Sequence, residues 1–452
     1  MLCVYCYIIA RHIIRHNTHR SNVKIQSRRH YYFAQNSRLD FKEEQEDWHG
    51  VFLDDFKVYA YSAFYDSRYL QPRPPIPHVV VIGVWENLKP NTTLYCALYR
   101  DSRSNAPPKI VQVSVMKDTI SAYSSVTRNA FVVHCPVEEE EEEEEDVTGR
   151  FVVPSDVSLD INRTRLERGE TFKVPVEIPE KPKEKKKFAI CLKEVYDVFD
   201  FSVDPIEVNQ LVEWVELNKL LGVDHIIVYN HSMGTEMSRV FRYYAEIGYV
   251  DVLSAGKLPS DKIPVKPARA VGLNDCLYRF MYFYDKMIDI DTDEFISSKT
   301  SYSYDHLFNT ILQYRGVSRD NTSYVFRNQR YFIDDPNLKP VPGNLVTQYA
   351  VRHVTPELPR YRSKLIVDPH CCLMVSPHQC IHKVPSCRVF HCPPHLGVNC
   401  HYKSCSGSRK VNKPKDCIKE FASAKTDNSM TRFSGPLQEA VDRVLKRLNH
   451  TQ

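Results

Sequence analysis

Between Phe188 and Ile290 short apolar runs alternate with longer amphipathic stretches, and this rhythm restricts the fold more than any other feature of the chain. Phe188 to Leu192 predicts a buried strand. Asp204-Pro205-Ile206-Glu207 then supplies a helix start, with Asp204 as cap, Pro205 in the first helical position and Glu207 reaching back to the cap. Val208, Leu211, Val212, Val215 and Leu220 keep one face apolar until Gly222 ends the helix. His225 to Tyr229 predicts the next strand, Glu236 to Glu246 a helix, Val250 to Leu253 a strand, Ala268 to Phe283 a helix and Lys286 to Ile290 a strand. Such alternation builds an α/β fold, a mostly parallel sheet flanked by helices, in which ligands bind beyond the carboxyl ends of strands.

Asp291-Thr292-Asp293-Glu294-Phe295 stands at just such an end. Three adjacent carboxylates repel one another unless something positive sits among them. A divalent cation carrying a phosphorylated ligand resolves that repulsion, and a solvated acidic turn is the plainer alternative. The helix before it presents Asn274, Asp275 and Arg279; Arg279 can pair bidentately with a diphosphate, or simply with Asp275 one turn earlier. No Gly-x-x-x-x-Gly-Lys loop, Gly-x-Gly-x-x-Gly fingerprint or Gly-x-Ser-x-Gly elbow occurs, which removes the main support for NTPase, dinucleotide-oxidoreductase and serine-hydrolase chemistry.

The flanks read differently. Residues 1–45 form a polar, basic leader whose apolar run, Leu2 to Ala10, is far shorter than the roughly 20 residues that cross a bilayer. Residues 50–135 are β-rich, with strands expected at Val79 to Val84, Leu94 to Leu98 and Ile110 to Val115. Residues 136–187 read as a linker, opening on the self-repelling run Glu138 to Asp146 and ending on Lys185-Lys186-Lys187. Residues 188–405 hold the α/β unit, and 406–452 a tail with a helix. A net charge of +4 over 452 residues is too diffuse for nucleic-acid binding. Eight of the fourteen cysteines (371, 372, 380, 387, 392, 400, 405 and 417) lie near the carboxyl end among six histidines from His370 to His401. Disulfides and a zinc site both remain open there, because within that stretch the spacings are irregular and include no Cys-x-x-Cys pair. Sequons at Asn91, Asn162, Asn230, Asn321 and Asn449 fit a lumenal protein.

Several motifs, in order, resemble glycosyltransferase family 92. They are Val58-Tyr59-Ala60-Tyr61-Ser62-Ala63-Phe64-Tyr65-Asp66-Ser67-Arg68, Glu213 to Val223, Asn274 to Arg279, Asp291 to Phe295, Ser363 to Pro369, Ile381-His382 and His401-Tyr402-Lys403. The resemblance implies a GT-A-like fold and a galactosyltransferase that uses Mn²⁺, or another divalent cation, and a UDP-sugar donor, UDP-galactose, on a glycan or glycoprotein acceptor. It also implies a single-pass Golgi membrane protein, although no anchor is recognisable in residues 1–45. Carried over, Asp291 and Asp293 are the expected metal residues and His401 a further metal or diphosphate ligand. Independently of the resemblance, Asp275, Arg279 and Lys364 are the expected nucleotide-sugar contacts; the charge of Lys364 can neutralise phosphate, and a plain exposed lysine is the alternative. Lys403 stands where the family has Arg, which keeps the charge but loses the planar fork. An inverting reaction needs a carboxylate base, for which Asp334, Asp335 and Glu357 are candidates. The alternatives are a transferase-like binding protein without turnover and a zinc-binding structural protein.

Overall fold

The central apolar runs between Phe188 and Ile290 become strands because both their faces are covered, while the edge strand Val250–Ser254 is only partly buried. In the computed structural model, which describes residues 48–53, 56–70, 76–87, 92–101, 106–117, 128–138, 151–195, 208–256, 265–314, 317–334, 345–405 and 414–450, Phe188, Ile190 and Leu192 face one core while Ala189 and Cys191 face another. The leader, Glu139 to Asp146, the helix start at Asp204 to Glu207, and Asp335 lie outside the described residues. Strands Val250–Ser254, His225–Asn230, Lys186–Val195 and Tyr284–Asp289 lie side by side in that order, all parallel. Their sheet continues through Lys364–Val367 and Thr322–Phe326, both paired antiparallel, and ends on Arg388–His391. The seven-stranded sheet is therefore mixed.

Helices Val208–Leu220, Thr235–Glu246 and Ser434–His450 close one face, with Trp214, Phe241, Tyr244, Leu437 and Val441 in the core. Helix Val265–Arg279 closes the other and is bound to the sheet by the Cys191–Cys276 disulfide. It stops four residues before the expected Phe283, and the side chains beyond it are used in a turn, with Phe280 and Met281 buried.

The amino-terminal strands form a nine-stranded sheet, larger than expected. The stretch expected to be a linker contributes to it. Strand Asp156–Asp160 pairs with Leu94–Tyr99, and strand Val174–Glu177 pairs with Phe56–Leu70. Val157 and Leu159 are buried between polar neighbours, a period-two pattern too short to stand out beside the acidic run. The tail is likewise part of the body: Leu437, Val441, Val444 and Leu448 repeat at helical spacing and enter the main core. Six of the eight carboxyl-terminal cysteines form the disulfides Cys371–Cys387, Cys372–Cys380 and Cys405–Cys417, whereas Cys392 and Cys400 are buried thiols. Among the described residues no cysteine joins a group able to hold a metal, so the zinc expectation is not supported. No described helix is long and apolar enough to cross a membrane.

Candidate active site

The site forms where the chain leaves the large sheet and enters a small one. After strand Tyr284–Asp289 the backbone turns through Asp291 to Asp293, with Glu294 N–H donating to Asp291 O (3.1 Å), and re-enters as strand Glu294–Ser297. That strand pairs with Val398–Lys403, which in turn pairs with Asn328–Phe332. The register sets Glu294 and Arg330 on either side of His401. Alternation then divides the side chains: Phe295, Cys400 and Tyr402 enter the core, while Glu294, Asn399 and His401 join one polar cluster. Trp214 Nε1 donates to Glu294 O (3.2 Å) and Tyr402 N–H to Asp293 O (2.9 Å), so helix and sheet both fix the turn.

His401 Nε2 lies 3.1 Å from Asp293 Oδ2, and its Nδ1 lies 3.4 Å from Glu294 Oε1 and 3.2 Å from Asn328 Oδ1. Asn399 Nδ2 donates to Glu294 Oε1 (3.1 Å). Burial disfavours the charged imidazole, but Asp293 and Glu294 more than offset this and hold its pKa above the usual histidine range. The reciprocal holds for Asp293, where burial opposes ionisation and His401 lowers the pKa below the usual carboxylate range. One candidate ligand atom each from Asp293, Glu294 and His401 lies within 4.8 Å of the others. Hard carboxylate oxygens with one imidazole suit Mn²⁺ or another divalent cation. Asp293 is the open member, its side chain 42% exposed against 1% for Glu294 and 8% for His401.

Asp291 stands differently. Lys364, 1% exposed, reaches Asp291 Oδ2 at 3.1 Å, Glu294 Oε2 at 3.0 Å and Asp289 Oδ1 at 4.0 Å. The geometry thus groups Asp293, Glu294 and His401 instead of a pair of aspartates, and Lys364 neutralises the carboxylates behind them. Asp275 and Arg279 belong to another network. Arg279 donates to both oxygens of Asp275 (2.7 and 2.8 Å) and to Glu177 (2.5 and 3.3 Å), while Tyr229 Oη donates to Asp275 Oδ2 (2.6 Å). Of the base candidates, Asp334 accepts from Ser404 Oγ (2.5 Å) and Cys405 N–H (2.8 Å). Glu357 Oε2 accepts from Asn328 Nδ2 (3.0 Å), one side chain away from His401. Asn328 and Asn399 are the members that sequence reasoning did not single out, and Glu294, the third carboxylate of the acidic motif, was not assigned to the metal set. Asn399-x-His401 shows the period of two that puts both on one face, but Asn328 carries no local signal.

Residues 186–446 match the profile of glycosyltransferase family 92, more than half of the chain. Among curated proteins no match was found. Among solved structures, one titled only as a mycobacterial protein is 17% identical over 33% of this chain, with a TM-score of 0.19; the chain spans 47% of its length. A ferredoxin-NADP⁺ reductase from Plasmodium falciparum with 2′P-AMP is 10% identical, over 44% of this chain and 73% of that one, with a TM-score of 0.13. Likeness at these scores carries no inference about this chain.

Proposed function

The chain belongs to glycosyltransferase family 92, and we propose that it is a metal-dependent, inverting enzyme that transfers galactose from UDP-galactose to a saccharide hydroxyl. The observation that carries this reading is the convergence of Asp293, Glu294 and His401 at the mouth of the sheet. Asp293, Glu294 and His401 would hold a divalent cation, which would supply positive charge to stabilise the departing diphosphate. Lys364 keeps Asp291 and Glu294 from repelling the rest of the acidic turn, and Asn399 and Asn328 orient Glu294 and His401. In the reaction the acceptor oxygen bonds to the anomeric carbon, the bond from that carbon to phosphate breaks, and the hydroxyl proton passes to a carboxylate. Glu357 supports that last role best, because Asn328 links it to the cluster while Asp334 holds the Ser404 and Cys405 turn. A GT-A-like arrangement is supported by the four parallel strands that lead into the acidic turn. Five disulfides among the described residues fit an oxidising compartment and support residence in the Golgi lumen.

The test is UDP-galactose turnover, followed as UDP release, with and without Mn²⁺. The wild type is expected to lose activity on chelation, and Asp293→Asn to lose it with metal present. Full activity of both proteins in chelator would overturn the proposal.

A further inference from the structure

Beside the cation cluster lies a cavity of about 240 Å³ lined by Arg330, His353, Thr355, Pro356, Glu357 and Leu358. Arg330 Nη2 donates to Glu357 Oε1 (3.1 Å) and Nη1 to Glu420 Oε2 (2.8 Å), which fixes the guanidinium in the wall between two carboxylates. Glu357 meets Asn328, and Asn328 meets His401, so the cavity is one side chain removed from the proposed metal residues. In its wall Leu358 is 75% exposed and stands beside Pro356, which also lines the cavity. A pyranose has an apolar C–H face and a rim of hydroxyls, and such a wall offers both an apolar surface and fixed donors and acceptors. The volume falls below the roughly 300–1,000 Å³ of pockets for larger ligands, which suits one sugar ring and not a nucleotide. Two carboxylates around Arg330 also disfavour a diphosphate, since they already neutralise its charge.

We propose that this cavity binds the terminal sugar ring of the acceptor, with Leu358 and Pro356 against its apolar face and Glu357 and Arg330 on its hydroxyls. The inference rests on the transferase reading and names its acceptor subsite.

The experiment is saturation-transfer NMR on the full chain with three probes, methyl galactoside, methyl fucoside and methyl N-acetylglucosaminide. At least one is expected to bind the wild type, with affinity falling about tenfold or more in Glu357→Gln. Leu358→Ala, which removes an exposed side chain and leaves the fold intact, is expected to weaken binding in the same direction. No binding by any probe, equal binding by all variants, or displacement of the bound glycoside by UDP would each overturn the proposal. A separate arm with UDP-galactose and Mn²⁺ tests the donor site: its failure removes the transferase reading, while the glycoside arms still report on the cavity.

Discussion

At the level of single residues, the site separates a charge that can recruit a cation from charges that hold one another. Lys364 is buried among Asp289, Asp291 and Glu294, and removing it leaves like charges facing each other without a counterion. Lys364→Met is therefore expected to cost about 3–5 kcal/mol of stability, the range for breaking a buried pair, read from the shift in a urea unfolding curve. An unchanged midpoint would show that the lysine is not the internal counterion. Asn328 meets His401 of the proposed metal cluster, and Asn328→Ala is expected to weaken Mn²⁺ binding about 10–100-fold without unfolding the chain. The acidic motif was readable in the sequence because three consecutive-range carboxylates at a strand end demand a counter-charge. Which of them Lys364 neutralises was not, because Lys364 lies on a strand far along the chain.

Among the elements, helices and strands were legible where their apolar period is long and unbroken. Helix Val208–Leu220 is one, and its buried Glu213 shows what periodicity leaves out. That carboxylate accepts the N–H groups of Leu345 (2.5 Å) and Val346 (2.8 Å) at the start of helix Leu345–Gln348. Burial pushes its pKa up to about 7 despite those two bonds, so the folded chain holds a proton there that the unfolded chain, at 4.5, has lost. Since the native state binds more protons in that window, stability falls as pH rises from about 4.5 to about 7. Unfolding midpoints at about pH 5 and about pH 8 are expected to show this decline, and a smaller one in Glu213→Gln. The mixed end of the large sheet was not legible: strands Thr322–Phe326 and Lys364–Val367 are short apolar runs, and nothing local states that they pair antiparallel.

Across the whole molecule, motifs that read as chemistry in the sequence serve largely to join layers. Arg68 donates to both oxygens of Asp66 and to the carbonyls of Pro369 (2.8 Å) and Cys372 (2.9 Å), with its guanidinium over Tyr278. Arg279 and Glu177 make a second tie between the amino-terminal sheet and helix Val265–Arg279. Arg68→Lys is expected to fall well short of wild-type stability in thermal unfolding, because a lysine cannot reproduce the planar fork. Such pairings depend on segments hundreds of residues apart, and no local pattern encodes them. What the layers position is the cluster of Asp293, Glu294 and His401, and Mn²⁺ titration followed by electron paramagnetic resonance tests that cluster most directly. Binding by the wild type is expected, weakened about tenfold or more in Asp293→Asn and much less in Asp291→Asn, whose partner is Lys364. No Mn²⁺ binding by the wild type, or equal loss in the two variants, would contradict the account.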